Sequence, residues 1–350
     1  MVLAFAAPSF VARPDLLVEL ASAYPRAAMI GCSTAGEIDQ TRIRDESITV
    51  AVVQFDRTRV RQAEARVVDG CSAYTAGLRI AAELLSPELR AVLVLSPGTN
   101  VNGHELVNGL NARLPERVIV TGGLAGDGDR FGPTWVVASG RIERDAVVAV
   151  GLYGDHVRVS HGTRGGWDAL GVERVVTKSQ GKVLYALDDR PALALYKEYL
   201  GDLAADLPGS ALMFPLAVRG QDDGHSVVRT VVGVDEAEQS LRFAAEIPAG
   251  SYAKLMRASR DRLVLGAQAA GTAAVGRFEG PVLCVAISCV GRRLVLGERS
   301  EEETEATLES LPVGTAQVGF YSYGEISPDT TGRCDLHNQM MMLTVLGEMA

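Results

Sequence analysis

GCSTAGEI at residues 31–38 and GFYSYGEI at residues 319–326 are one phrase written twice. Each follows an apolar run with the composition of a strand, RAAMI before the first and TAQV before the second. Each glycine-flanked turn therefore falls at a strand's C-terminal end, where α/β folds bind ligands.

Lining up the flanks extends the phrase into a longer unit. The first copy reads VLAFAAP, a helical stretch ARPDLLVELASAYP, then AAMIGCSTAGEI and SITVAVVQF, ending near Phe55. The second reads AVLVLSPGTN, NGHELVNGLNARLP, VIVTGGLAGDGDRF and AVVAVGLYG, with a short TWVVAS strand inserted. The third reads VLCVAISC, SEEETEATLESLP, AQVGFYSYGEI and NQMMMLTVLGE. Three runs of strand, helix, strand, glycine turn and strand point to an internal repeat. Single units of this kind occur in any α/β protein, yet even so three glycine turns end equivalent strands. The expected fold is α/β: two packed domains with mixed β-sheets built from repeated strand-helix-strand-strand units. The crossovers should be right-handed and the final strand of each unit antiparallel.

Composition narrows the function classes. With 350 residues, 47% of them hydrophobic, the chain can bury sizeable cores. No run approaches 18 consecutive apolar residues, so no membrane span is expected, and the apolar start MVLAFAAPSFVAR reads as the first repeat's strand and not as a signal peptide. Acidic residues outnumber basic ones 43 to 34, for a formal net charge of −9, and no basic stripe stands out. That argues against nucleic acid or an anionic membrane as partner. The five cysteines (Cys32, Cys71, Cys284, Cys289 and Cys334) are odd in number and lack CxxC spacing, which suits a reducing cytoplasm and disfavours zinc.

Between the second and third copies the pattern changes. VRVSHGTRGGWDALG and ERVVTKSQGKVLYALD are strand-like, and PALALYKEYLG is a helix that Asp188 or Asp189 can cap ahead of Pro191. DLAADLPGS is the expected domain junction. A run of antiparallel strands follows it, with a polar hairpin tip QDDGH. The glycine-dense GGLAGDGDRFGP is neither a Walker A loop nor a G-x-G-x-x-G opening a helix, so phosphate binding has little support.

GCSTAGEI, GGLAGDG, the stretch GWDALGVERVVTKSQGKVLYALDDRPALALYKEYLG, SCVGRR, and GFYSYGEISP followed by LHNQ resemble, in order, the signatures of the FIST family. The resemblance covers nearly the whole chain. It implies a FIST N domain over residues 1–207 and a FIST C domain over residues 208–350. One departure is LHNQMM, where the family usually has a threonine soon after the asparagine; Met340 or Met341 would put a thioether in place of a hydroxyl. The resemblance implies a cytoplasmic, small-molecule-sensing module of signal transduction and not an enzyme. Such domains are often joined to histidine kinase, chemoreceptor or cyclic-dinucleotide output domains. This sequence carries none of these, so the expected partner is a separate histidine kinase or diguanylate cyclase. Some relatives are haem-binding nitric oxide sensors and others have been suggested to bind amino acids, so haem is an alternative cofactor.

The candidate ligand residues follow from the turns. Glu37 and Glu325 hold matching places, and Asp127 falls in the corresponding turn of the second copy near Gly122 and Gly123. Their carboxylates suit the ammonium of an amino-acid-like ligand, or else each closes its own turn by accepting backbone amides. Cys32, Ser33 and Thr34 bring a thiol and two hydroxyls to the same strand end; a nucleophilic Cys32 would need a base and a depressed pKa, and an enzyme using it or the turn carboxylates is the second alternative. Tyr321 and Tyr323 alternate onto one face of their strand, as pocket wall or as core. Asn338 completes the ligand set. His161 and His337 are the candidate axial ligands if haem binds, and no metal site is expected.

Overall fold

The computed structural model describes residues 1–67, 71–220, 226–276, 278, 282–329 and 331–349. The QDDGH hairpin tip, with His225, lies outside them. Copy one runs β1 (Val2–Ala6), α1 (Pro14–Ala23), β2 (Met29–Ser33), β3 (Glu37–Asp39), β4 (Arg42–Arg44) and β5 (Ile48–Val52); β6 (Arg59–Arg66) and α2 (Ala73–Leu84) lead onward. Copy two holds β7 (Leu89–Ser96), α3 (Gly103–Asn111), β8 (Ile119–Leu124), β9 (Val136–Ala138), β10 (Arg141–Glu143) and β11 (Ala146–Tyr153), followed by β12 (Val157–Arg164). An inserted segment comprises β13 (Asp168–Gln180), β14 (Val183–Leu187), β15 (Arg190–Pro191), α4 (Ala192–Leu200), β16 (Leu216–Arg219), β17 (Ser226–Arg229), β18 (Val231–Asp235), β19 (Ser240–Phe243) and β20 (Tyr252–Arg257). The chain returns through α5 (Arg260–Ala274) to copy three: β21 (Leu283–Cys289), α6 (Val290–Leu296), α7 (Ser300–Glu309), β22 (Ala316–Ser322), β23 (Gly324–Pro328), β24 (Cys334–His337) and β25 (Met341–Glu348).

The repeat is real in three dimensions. In each copy the first two long strands pair in parallel, with Ala4 opposite Gly31, Val94 opposite Gly122 and Ala286 opposite Gly319. The last strand then runs antiparallel to the first, as β5 on β1, β11 on β7 and β25 on β21. The three glycines stand at one equivalent position for one reason. A Cβ on any of them would overlap the carbonyl oxygen of Ala4, Val94 or Ala286 across the parallel pair. The first glycine of the phrase therefore serves close approach of two backbones inside a sheet, and the turn begins beyond it.

After each turn the chain leaves its own sheet for another copy's. β3 pairs with β22 of copy three, β23 with β8 of copy two, and β9 with β2 of copy one, all antiparallel. Each visitor brings its hairpin partner, β4, β24 or β10. Three mixed sheets result, ordered β10-β9-β2-β1-β5, β24-β23-β8-β7-β11-β6 and β12-β25-β21-β22-β3-β4. TWVVAS is thus no insertion into copy two but its lent strand, the counterpart of GEI in the other copies. Glu37 faces Phe320, Glu325 faces Gly123, and the residue that faces Cys32 in the same way is Val136. Asp127 is therefore not the third member of the glutamate set; a longer turn carries it away from that position.

Side-chain alternation places the cores. Leu3 and Phe5, Leu93 and Leu95, and Val285 and Ile287 point into one core shared by the three sheets, where the Phe5 and Phe320 ring centroids are 4.8 Å apart. Ala4, Val94 and Ala286 point the other way, toward helices. The inserted strands enclose a separate core around Val176, Tyr196, Leu241 and Phe243. Leu207 lies within this segment, between α4 and β16, and β13 pairs with β20 across it. Asp188 does not cap α4; its carboxylate accepts from Val175 N at 2.8 Å and pairs with Arg174. All five cysteines are buried and unbridged. Among the described residues no helix is long and apolar enough to cross a membrane.

The glycine argument is testable. Gly31→Ala, Gly122→Ala and Gly319→Ala should each lower stability in urea melts by about 2 kcal/mol or more, because backbones must separate. Gly209→Ala, whose Cβ would meet open space, should stay within about 0.5 kcal/mol. Equal effects at all four positions would refute close approach as the reason for the repeated glycine.

Candidate functional site

Strand lending brings the three turns together. Ala35 N donates to Tyr321 O at 2.8 Å and Tyr321 N to Gly36 O at 2.8 Å, joining copies one and three. Gly126 N donates to Ser33 O at 3.0 Å, and Tyr323 N to Leu124 O at 3.1 Å, so the second turn is stitched to both others. Little room is left between the backbones, and most candidate side chains are fully buried.

Both glutamates close their own turns. The Thr34 hydroxyl donates to Glu37 Oε1 while accepting from Gly36 N, and Ser47 donates to Glu37 Oε2 from its N–H at 3.1 Å and its hydroxyl at 2.7 Å. In copy three the Ser322 hydroxyl donates to Glu325 Oε1 at 2.6 Å and Met340 N to Oε2 at 3.2 Å. A hydroxyl three residues ahead of a glutamate is the shared device. Burial pushes both carboxyls up. Glu325 reaches about 8, against the opposing pull of hydrogen bonds from Ser322, Met340 and Cys289 and the charge of Arg292.

Behind the third turn lies a dry ionic network that the repeat phrase does not reveal. Arg292 and Glu303 are both fully buried, with Nη2 to Oε2 at 2.8 Å and Nε to Oε2 at 3.0 Å. Glu303 Oε1 accepts from the Tyr321 hydroxyl at 2.7 Å and from Ser288 at 2.9 Å. Arg292 also donates to the carbonyls of Gly165 and Leu263. All three guanidinium nitrogens and both carboxylate oxygens have partners, as a buried pair requires. Tyr321 is therefore committed to this network. The Tyr323 hydroxyl instead donates to Gly128 O at 3.2 Å and accepts from Phe131 N at 3.1 Å, with its ring stacked on Phe131.

An opening lies between the first two turns. A cavity of about 170 Å³ is lined by Ala7, Pro8, Thr34, Ala35, Gly36, Glu37, Asp45, Glu46, Gly128, Asp129 and Arg130. Four carboxylates border it against one guanidinium, so its field favours a cation. Arg130 is braced by Asp127, whose Oδ1 accepts from Nε at 3.1 Å. Arg293, from copy three, binds Ala35 O at 2.7 Å and Asp45 with both terminal nitrogens (2.7 and 2.6 Å), and so holds the Asp45 carboxyl below its usual range.

Of the residues singled out from sequence, Thr34 and Glu37 line this cavity, while Asp127 and Tyr323 brace its loop wall. Glu325, Gly122, Gly123, Ser33 and Cys32 do not border it. Ser33 Oγ accepts from Trp135 N at 3.2 Å. Burial and the neighbouring Glu37 charge push the Cys32 thiol well up, opposite to the shift a nucleophile needs. Asn338 is buried, and its Oδ1 has no partner among the described residues. His337 Nε2 lies 3.3 Å from the Ser327 carbonyl, to which it must donate, and His161 is half-buried on β12 beside β25. Neither ring borders this cavity. Sequence reading missed Asp45, Glu46, Asp129, Arg130 and Arg293; the only signal was the density of acids in RDES and GDGDR.

Glu325 predicts a pH dependence. The unfolded chain releases this proton near 4.5, whereas the folded chain keeps it until about 8. Over that window the folded state binds more protons, so stability falls as pH rises, by up to about 1.4 kcal/mol per pH unit. In urea melts between pH 5 and 8, wild type should therefore lose stability more steeply than Glu325→Gln. Parallel slopes would show that this carboxyl titrates normally.

Comparison with known proteins agrees with the family resemblance of the sequence motifs. An uncharacterized protein of Methanocaldococcus jannaschii is 24% identical over 361 aligned positions, which cover 92% of this chain and 68% of that protein. The FIST N domain model matches residues 1–190, and the FIST C domain model matches residues 192–328. FIST domains are associated with small-ligand sensing in signal transduction. With nearly its whole length matched by the family's two domains in order, the chain belongs to the FIST family.

Proposed function

We propose that this protein is a small-molecule sensor that takes an amine-bearing, amino-acid-like ligand in the cavity at the first turn. It acts on a separate output partner, a histidine kinase or a cyclic-dinucleotide enzyme, and catalyses no reaction of its own. The observation that carries this reading is the cavity itself, an acid-rich space between the turns of copies one and two, with Arg293 of copy three bound to its Asp45 wall. Its volume of about 170 Å³ suits a molecule of a few heavy atoms, below the range of drug-sized pockets. An ammonium there would face Glu37, Asp45, Glu46 and Asp129, and Arg130 offers a partner to a carboxylate.

The site's walls supply a means of transmission. Thr34 and Glu37 belong to copy one, Gly128 to Arg130 to copy two, and Asp45 is held by Arg293 of copy three. A ligand that prefers one packing of these elements shifts the molecule toward it in proportion to that preference. The protonated Cys32 thiol supports binding over covalent catalysis.

Thermal-shift and calorimetric titrations with amino acids and with simple amines should show binding. At about 100 times the dissociation constant, the ligand should add roughly 2.7 kcal/mol of stability. Glu37→Gln should weaken binding at least about tenfold, the value of one charge-assisted hydrogen bond. No response to any amine, or a Soret band in protein purified from haem-sufficient cells, would overturn the proposal.

A further inference from the structure

A larger cavity, of about 460 Å³, lies where the inserted strands meet the three-sheet body. β17 and the 246–251 loop form one side, and α3 and β24 form the other. Its wall contains Arg229, only 5% exposed. Arg229 Nη1 donates to Leu336 O at 3.0 Å and Nε to Glu246 O at 3.4 Å. Nη2 makes no hydrogen bond with a described residue, and no carboxylate forms an ion pair with this guanidinium among the described residues. The contrast with Arg292 is direct, since two nitrogens of that buried arginine donate to Glu303 Oε2.

A guanidinium taken out of water is costly unless an anion meets it. Two carbonyls satisfy part of its fork and leave the Nη2 edge for an oxyanion. The other charged groups limit what that anion can be. Arg219 borders the cavity but is already paired with Glu173 at 2.9 and 2.6 Å. Glu246 and Asp335 also border it; their charges favour the Arg229 cation from a distance without forming an ion pair, and they would repel a dianion while accepting a hydrogen bond from a hydroxyl or ammonium group. His104, from the first turn of α3, adds a buried Nδ1 with no partner among the described residues. The volume lies in the range of small-molecule sites.

We infer that this cavity is a second ligand site, taking a small monocarboxylate that carries a hydroxyl or amino group. Its carboxylate meets the Nη2 edge of Arg229 and its donor group faces Glu246 and Asp335. Arg229 already ties β17 to β24, the hairpin strand that copy three lends to copy two. A ligand there joins the inserted segment to the body at the point where the copies interlock.

The site is separable from the turn cavity by its probes. Hydroxymonocarboxylates of three to six carbons, such as lactate and 3-hydroxybutyrate, lack the amine on which the turn site depends. Alcohols of the same skeletons and the dicarboxylate malate serve as controls. Calorimetry should show binding of at least one hydroxymonocarboxylate and none of the alcohols, with malate weaker. Arg229→Lys, which keeps the charge but not the fork, should weaken binding at least about tenfold. In wild type, the bound acid should slow amide exchange within residues 226–229, 246–251 and 335–337. The inference is overturned if no hydroxymonocarboxylate binds, if Arg229→Lys binds as well as wild type, or if protection appears at residues 34–47 instead. Should Arg229→Lys fail to fold, the wild-type exchange map decides.

Discussion

Two parallel strands held too close for any side chain are the constraint on which this fold depends. At Gly31, Gly122 and Gly319 the partner carbonyl occupies the space of a Cβ, and each glycine is followed by the turn that sends the chain into another copy's sheet. The shared core exists because each sheet is completed from outside its own copy. The site depends on the same exchange, for the turns meet only where the lent strands cross over.

The glutamates show how one local device serves two surroundings. Thr34 with Glu37 and Ser322 with Glu325 are the same hydroxyl-to-carboxylate bond at the same spacing. Glu37 stands beside a cavity bordered by Asp45 and Glu46, whereas Glu325 is sealed under Met340 and Cys289. Position in the repeat sets the bond each makes; the neighbours from other copies set what each can do. A lone cation in the first cavity would find acceptors, and the second glutamate is left as a buried acid.

Much of the fold was legible because it is local. Strand, helix and strand alternate with clear periodicity in all three copies, and the parallel and antiparallel pairings follow from connection length. The exchange of hairpins was not legible, since pairing β3 with β22 joins residues nearly a chain length apart and leaves no mark in the composition of either. TWVVAS looked like an insertion for that reason. The seven-residue helix α6, which starts at the valine of SCV, was hidden because about two turns hold too few apolar positions to show a period. The site was legible only in part. Thr34 and Glu37 belong to the repeated phrase, but Asp45 and Arg130 sit in charged loops like many others, and Arg293 reaches the first turn across 258 residues of sequence.

The cyclic lending of hairpins has a further meaning for how such a chain is put together. Copy one lends to copy three, copy three to copy two and copy two to copy one, so the ring closes with no strand left over. That is the geometry of a domain-swapped homotrimer written into a single polypeptide. One unit encoded alone would carry an orphan hairpin and a sheet with a vacant edge, each the complement of what a further copy offers.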